Sequence, residues 1–311
     1  MSKEICFCGK GGVGNLGLPD CTELLKVVSR VGITNTYDKD GNRNSIKIAD
    51  FVDGKLPAGY FNDLLKEEDA SKRIYITAKT FDEVEITNTD RTTQTTSSGA
   101  IYELLQGVVQ FTGKLMKFPP AYSGQLNSSS CGENSVYLFD VEGRIMGEIS
   151  SDGLELLPLE LQEGSVTSNW FPKSDAGESY VDFNFQLSRV VSNEKFLTIS
   201  PSNIVENLLK AESLIDVTLS DGTGTQSITT LYLDANYSLY GTFNSLGSLV
   251  GKTALTDWDV DGVNPTAVVE SADGVYELTV ANTSPAVVKY VEGRTVATKK
   301  GFESNELTIT Y

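Results

Sequence analysis

The chain has 311 residues, 40% of them hydrophobic and 22% charged, which places it among globular rather than disordered proteins and leaves room for two domains. Its formal charge is −17: five basic and thirteen acidic residues fall in 212–311, twenty and twenty-nine before it, with no basic patch to grip nucleic-acid phosphates. There is no histidine, which removes the commonest general base, the Ser–His and Cys–His nucleophile pairs and the commonest metal ligand, so a non-enzymatic chain is expected.

The first segment is rich in glycine. Cys8-Gly9-Lys10-Gly11-Gly12-Val13-Gly14-Asn15-Leu16 has the outline of a deviant phosphate-binding loop. That chemistry needs a lysine on the phosphates and a hydroxyl on magnesium, where Asn15 and Leu16 stand. No nucleotide cofactor is therefore expected, and the segment reads as a glycine loop that meets a neighbouring subunit. Cys6, Cys8 and Cys21, with Cys131, are too few and too clustered for a disulfide framework. They leave open a thiolate zinc site, although Cys-x-Cys is not the usual spacing. The opening Met1-Ser2-Lys3-Glu4-Ile5-Cys6 lacks the apolar stretch of a secretory signal, and no apolar run reaches the ~18 residues of a membrane span. Synthesis in a cytoplasm and no membrane partner are expected.

Pro19 and Asp20 can start a short amphipathic helix, with Leu24, Leu25, Val27, Val28 and Val31 on its apolar face and Gly32 as its stop. Tyr37-Asp38-Lys39-Asp40-Gly41-Asn42 reads as a hairpin turn, because Asp-Gly supplies positive-φ residues. A second short helix is expected over 57–69. Period-two strands then follow over 74–86 and 108–117, with the Thr/Ser-rich 87–98 between them as an exposed loop or hairpin tip. Residues 136–141, 145–149 and 154–161 form a meander, turning at Glu142-Gly143-Arg144 and Ser150-Ser151-Asp152-Gly153. In 180–187, Val181, Phe183, Phe185 and Leu187 fall on one face and Asp182, Asn184 and Gln186 on the other, the pattern of a half-buried strand.

A third short helix is expected over 201–213. Beyond it come strands at 215–219, 227–233, 238–243, 267–271, 276–281, 286–291 and 307–311. Some seven short strands in about a hundred residues suggest an immunoglobulin-like sandwich. The expected architecture is thus mainly β: an antiparallel sandwich or barrel with short helices over 1–211, then an Ig-like domain over 212–311. Asp257-Trp258-Asp259-Val260-Asp261-Gly262 matches the opening of a calcium loop, but Val268 stands where a bidentate glutamate belongs. An acidic β-turn is the competing reading. No catalytic, cofactor-binding or metal-binding residue is assigned.

Cys8-Gly9, Gly14-Asn15-Leu16-Gly17-Leu18-Pro19-Asp20-Cys21 and the run from Tyr37 to Ile46 resemble the N-terminal pattern of virion structural proteins in phages of Bacteroidetes bacteria, including crAss-like phages. The resemblance continues through 136–153 and Asp273-Gly274-Val275-Tyr276-Glu277-Leu278-Thr279-Val280. It implies a virion protein similar to tail-tube proteins: hexameric rings whose inner strands join edge to edge around passing DNA, in contact with other tail and connector proteins. No defining tail-tube motif matches residue by residue, so tube, ring and connector stay open. A capsid decoration or head-fibre protein and a carbohydrate-binding adhesin are the alternative readings.

Overall fold

The computed structural model describes residues 25–47, 60–78, 80–89, 92–99, 101–105, 107–175, 177–189, 196–199, 211–225, 230–238, 245–281, 285–294 and 301–310. The glycine loop, Cys6, Cys8, Cys21 and residues 201–210 of the helix expected over 201–213 lie outside them, and 211–213 are not helical. The protein is mainly β and divides into two compact units, Met1–Lys210 and Ala211–Tyr311, one residue from the boundary read in the sequence. Among the described residues no helix is long and apolar enough to cross a membrane.

The first unit contains strands β1 (Val28–Asn35), β2 (Ile46–Lys47), β3 (Tyr75–Ile76), β4 (Asp82–Asn88), β5 (Thr92–Thr95), β6 (Ile101–Leu105) and β7 (Val109–Met116). After these come β8 (Asn134–Asp140), β9 (Ile145–Ile149), β10 (Glu155–Leu157), β11 (Leu159–Glu160), β12 (Thr167–Phe171), β13 (Tyr180–Gln186) and β14 (Phe196–Ile199). Two short helices, α1 (Tyr60–Leu65) and α2 (Pro120–Ser128), interrupt them.

The helix expected through Val28 and Val31 is instead strand β1. Val28, Val31 and Ile33 are β-branched, and residues 28 to 34 are all buried, as in a central strand covered on both faces. The chance spacing of apolar residues at three and four mimicked a helix. Gly32 is not a stop. It sits inside β1, where an added Cβ would lie 2.8 Å from the Phe139 ring and 2.9 Å from Ile74.

Hydrogen bonds join two sheets of the first unit into a circuit that closes only at two corners. β1 pairs with β8 on one side and β3 on the other. The N–H groups of Thr77 and Phe81 then donate to the carbonyls of Val31 and Ser29, taking the chain along β1 into β4. β4 pairs with β7, and β7 with β13. Beyond β13, Leu187 bridges Leu161, Ser188 N–H donates to Glu160 O, and β11 returns to β8. Inside this barrel-like circuit lie Val31, Phe111, Leu115, Val136, Leu159, Val181, Phe183 and Phe185, none more than 2% exposed. At the β8–β9 turn the Asp140 carboxylate accepts from the N–H groups of Lys26, Glu142 and Arg144, and Gly143 takes φ 80°.

The second unit contains β15 (Leu214–Thr225), β16 (Thr230–Ser238), β17 (Ser245–Ser248), β18 (Trp258–Val260), β19 (Ala267–Ala272), β20 (Val275–Thr279), β21 (Ala286–Tyr290), β22 (Gly301–Ser304) and β23 (Leu307–Ile309). One sheet runs β19-β20-β16-β15-β22, with β17 on β16, and the other runs β18-β21-β23. Without β17 and β22, this is the four-on-three strand order of an immunoglobulin constant domain. β22 departs from the antiparallel expectation: it pairs parallel to β15, and the chain then crosses to the other sheet as β23. Trp258 occupies the position of the buried tryptophan of such domains. It packs against Tyr276 and Tyr290, each 4.9 Å between ring centroids, and these three rings fill the centre of a sandwich whose sequence has no cysteine.

Candidate functional site

Of the residues singled out for metal chemistry, Asp259 and Asp261 serve the backbone. Asp259 Oδ1 accepts from Gly262 N–H at 2.8 Å, and Asp261 Oδ1 from Val287 N–H at 3.0 Å. Asp261 and Gly262 both have positive φ, and Val260 and Val263 exchange two hydrogen bonds across them, so the segment is a tight hairpin turn. Asp257 stands apart, its carboxyl pushed up by burial and by nearby Glu292. Cys131 is exposed and unpaired as a disulfide. Among the described residues no group of three or more His, Cys, Asp or Glu side chains is placed to hold a metal.

An extended surface of the first unit has a more informative construction. It is the four-stranded sheet β12-β13-β7-β4. Alternation along β7 and β13 sends Phe111, Leu115, Val181, Phe183 and Phe185 into the core. Side chains directly opposite on paired strands share a face, so the register assigns the other face. It carries Asp82, Glu85 and Thr87 from β4, Gln110, Thr112 and Lys114 from β7, Asp182, Asn184 and Gln186 from β13, and Thr167 and Asn169 from β12, with Met116, Tyr180 and Phe171 at one end. Four carboxylates, counting Glu83, accompany a single lysine there. Lys114 bonds Glu83 and lies 5.2 Å from the Tyr180 ring centroid, which itself stacks on Phe171 at 4.7 Å. Burial, followed by the opposing influences of Lys114 and Glu83, raises the Asp182 carboxyl.

Among the described residues both rims of this sheet lack a strand partner: β12 pairs with β13 and β4 with β7, and neither with another strand. Because Thr89 N–H donates to Val108 O, Thr87 and Glu85 also bond inward, and alternation turns the backbone groups of Ile86 and Asn88 outward. On β12 the outward groups belong to Ser168 and Trp170. The Asn127 carboxamide at the end of α2 takes both of Ser168's: its Oδ1 accepts from Ser168 N–H at 2.7 Å, and its Nδ2 donates to Ser168 O at 2.8 Å. The open part of that rim therefore begins at Trp170. A shift in register between Asp82 and Glu85, with Glu83 at φ 48°, ends regular pairing at the start of β4. β12 was missed by sequence reasoning, because Thr-Ser-Asn-Trp-Phe shows no apolar alternation; its exposed aromatic pair was the one available signal.

Comparison with protein-family models, with curated proteins and with solved structures finds no match.

Proposed function

We propose that this chain is a non-enzymatic structural subunit of a bacteriophage tail, a tube or ring protein that assembles with copies of itself into a conduit for DNA. The observation that carries the reading is the sheet β12-β13-β7-β4, with an acidic, largely polar face and two rims that have no strand partner among the described residues. In four antiparallel strands the first and last run in opposite directions, so β12 of one copy and β4 of the next meet antiparallel. The same contact then repeats from copy to copy, a heterologous arrangement that closes into a ring. Rims that invite aggregation in a monomer become the joint of the assembly. Six copies at about 4.8 Å between strands enclose a wall about 115 Å round and about 37 Å across, wide enough for a duplex. A wall dressed with Thr, Asn, Gln and an excess of carboxylates repels phosphates and lets DNA pass without sticking. The virion setting rests on the resemblance of the Cys8–Cys21 and Tyr37–Ile46 segments to Bacteroidetes phage structural proteins.

Negative-stain microscopy and native mass spectrometry of the purified chain test the reading: a closed ring, sixfold for a hexamer, is the expected result. Ile86→Pro removes an outward N–H and leaves the ladder to β7 intact. It should abolish rings while the circular dichroism spectrum of the monomer stays unchanged. Solitary particles of the wild-type chain, both purified and in intact virus, refute the proposal.

A further inference from the structure

We infer that the joint between copies has one register, in which Trp170 of one chain lies opposite Ile86 of the next; the inference rests on the ring reading above. Trp170 is 37% exposed and Ile86 48%, and each is a large apolar side chain at an open rim. Trp170 stands opposite Val181 and Ile86 opposite Phe111, so both belong to the core-facing side of the sheet. They are left in water because the wall stops at β12 and β4. Bringing the rims together covers both at once, with the apolar side of one sheet continuing into the apolar side of the next.

Three further features agree with this pairing. Trp170 and Ile86 are both residues whose backbone groups point outward, so the pair exchanges two hydrogen bonds. Asn127 already occupies the outward groups of Ser168, which prevents a joining strand from bonding farther toward the start of β12. Pro172 has no N–H to offer, so the ladder is short and the Trp170–Ile86 pair is its centre. Charge agrees as well: antiparallel pairing sets Lys173, whose side chain is 70% exposed, beside the acidic start of β4, Asp82, Glu83 and Glu85. Phe171 then faces Glu85 as a non-hydrogen-bonded pair, with Cα atoms about 4.5 Å apart. Within one chain those two residues sit on opposite rims, three strand spacings or about 14 Å apart, too far for a disulfide.

Cysteine cross-linking tests the register. In the full chain, with Cys6, Cys8, Cys21 and Cys131 changed to serine, Phe171→Cys and Glu85→Cys are combined and oxidised mildly. The slipped pair Asn169→Cys with Glu85→Cys serves as control. The expected result is a ladder of covalent multimers for the first pair, at least tenfold more than for the slipped one. Rings in the micrographs with no Phe171→Cys/Glu85→Cys ladder, or with the ladder from the slipped pair, overturn the register while leaving the assembly reading in place. Monomers in every preparation, with no ladder from either pair, overturn both. Exposed positions were chosen so that folding is retained, and an unchanged circular dichroism spectrum of each variant verifies it.

Discussion

Two asparagines do the same job in the two units. Asn127 completes the backbone groups of Ser168, and Asn305 those of Leu219, accepting from its N–H at 2.7 Å and donating to its O at 3.1 Å. A carboxamide carries one acceptor and two donors, so it fits the N–H and C=O of a single strand residue as a neighbouring strand would. Asn305→Ala leaves both groups of Leu219 unmade, and a loss of about 1–3 kcal/mol is expected in urea unfolding. Asp69 gives a pH signature. Hydrogen bonds from the Ser71 hydroxyl and N–H, against the opposing push of burial, and the Lys39 ammonium at 3.1 Å bring its carboxyl down to about 2. A depressed carboxyl contributes stability that is present above its unfolded value and is lost as pH falls through its folded one. Between pH 4 and pH 2 the melting temperature of the wild type should therefore fall more steeply than that of Asp69→Asn.

At the scale of elements, close packing explains what residue spacing did not reveal. β1 passes between β3 and β8, and its glycine is where the Phe139 ring crosses the strand. Gly32→Ala must displace that ring and Ile74, with an expected cost of about 1–3 kcal/mol in chemical denaturation and no loss of secondary structure. Strands with one wet face were legible: β7 and β13 fall where alternation put them, β8 and β9 lie on either side of the expected Gly143 turn, and the turns at Gly41, Gly143 and Gly153 all have positive φ. β1 was misread because a strand buried on both faces has no alternation to read. β12 and β18 were missed for a related reason, being three to five residues long and supported mainly by their neighbours. The proposed site shared this fate in part: Ile86 fell within an expected strand, whereas nothing local marked Trp170 as its counterpart.

At the scale of the whole chain, two separate cores form, one within each unit. The second is closed by its own residues, with Trp258, Tyr276, Leu278, Val288 and Tyr290 at no more than 1% exposure. A fragment comprising 211–311 should fold alone and unfold in one cooperative step. Trp258, its sole tryptophan, reports that step by fluorescence, and a gradual, non-cooperative change would show that the unit depends on the rest of the chain.

The order of residues determined by itself the β class, the turns and the approximate division at 211, since alternation, Asp-Gly pairs and glycine placement are local properties. It also determined the acidity and the lack of histidine, which bear on function without any fold. Tertiary structure alone decided that β1 is a strand, that Asp259 and Asp261 serve a turn and neighbouring backbone, and that Trp170 and Ile86 end on opposite rims of one sheet. The physical reason is that strand pairing joins residues far apart in the chain. Which backbone groups are left unpaired is known only once every other pairing has been made.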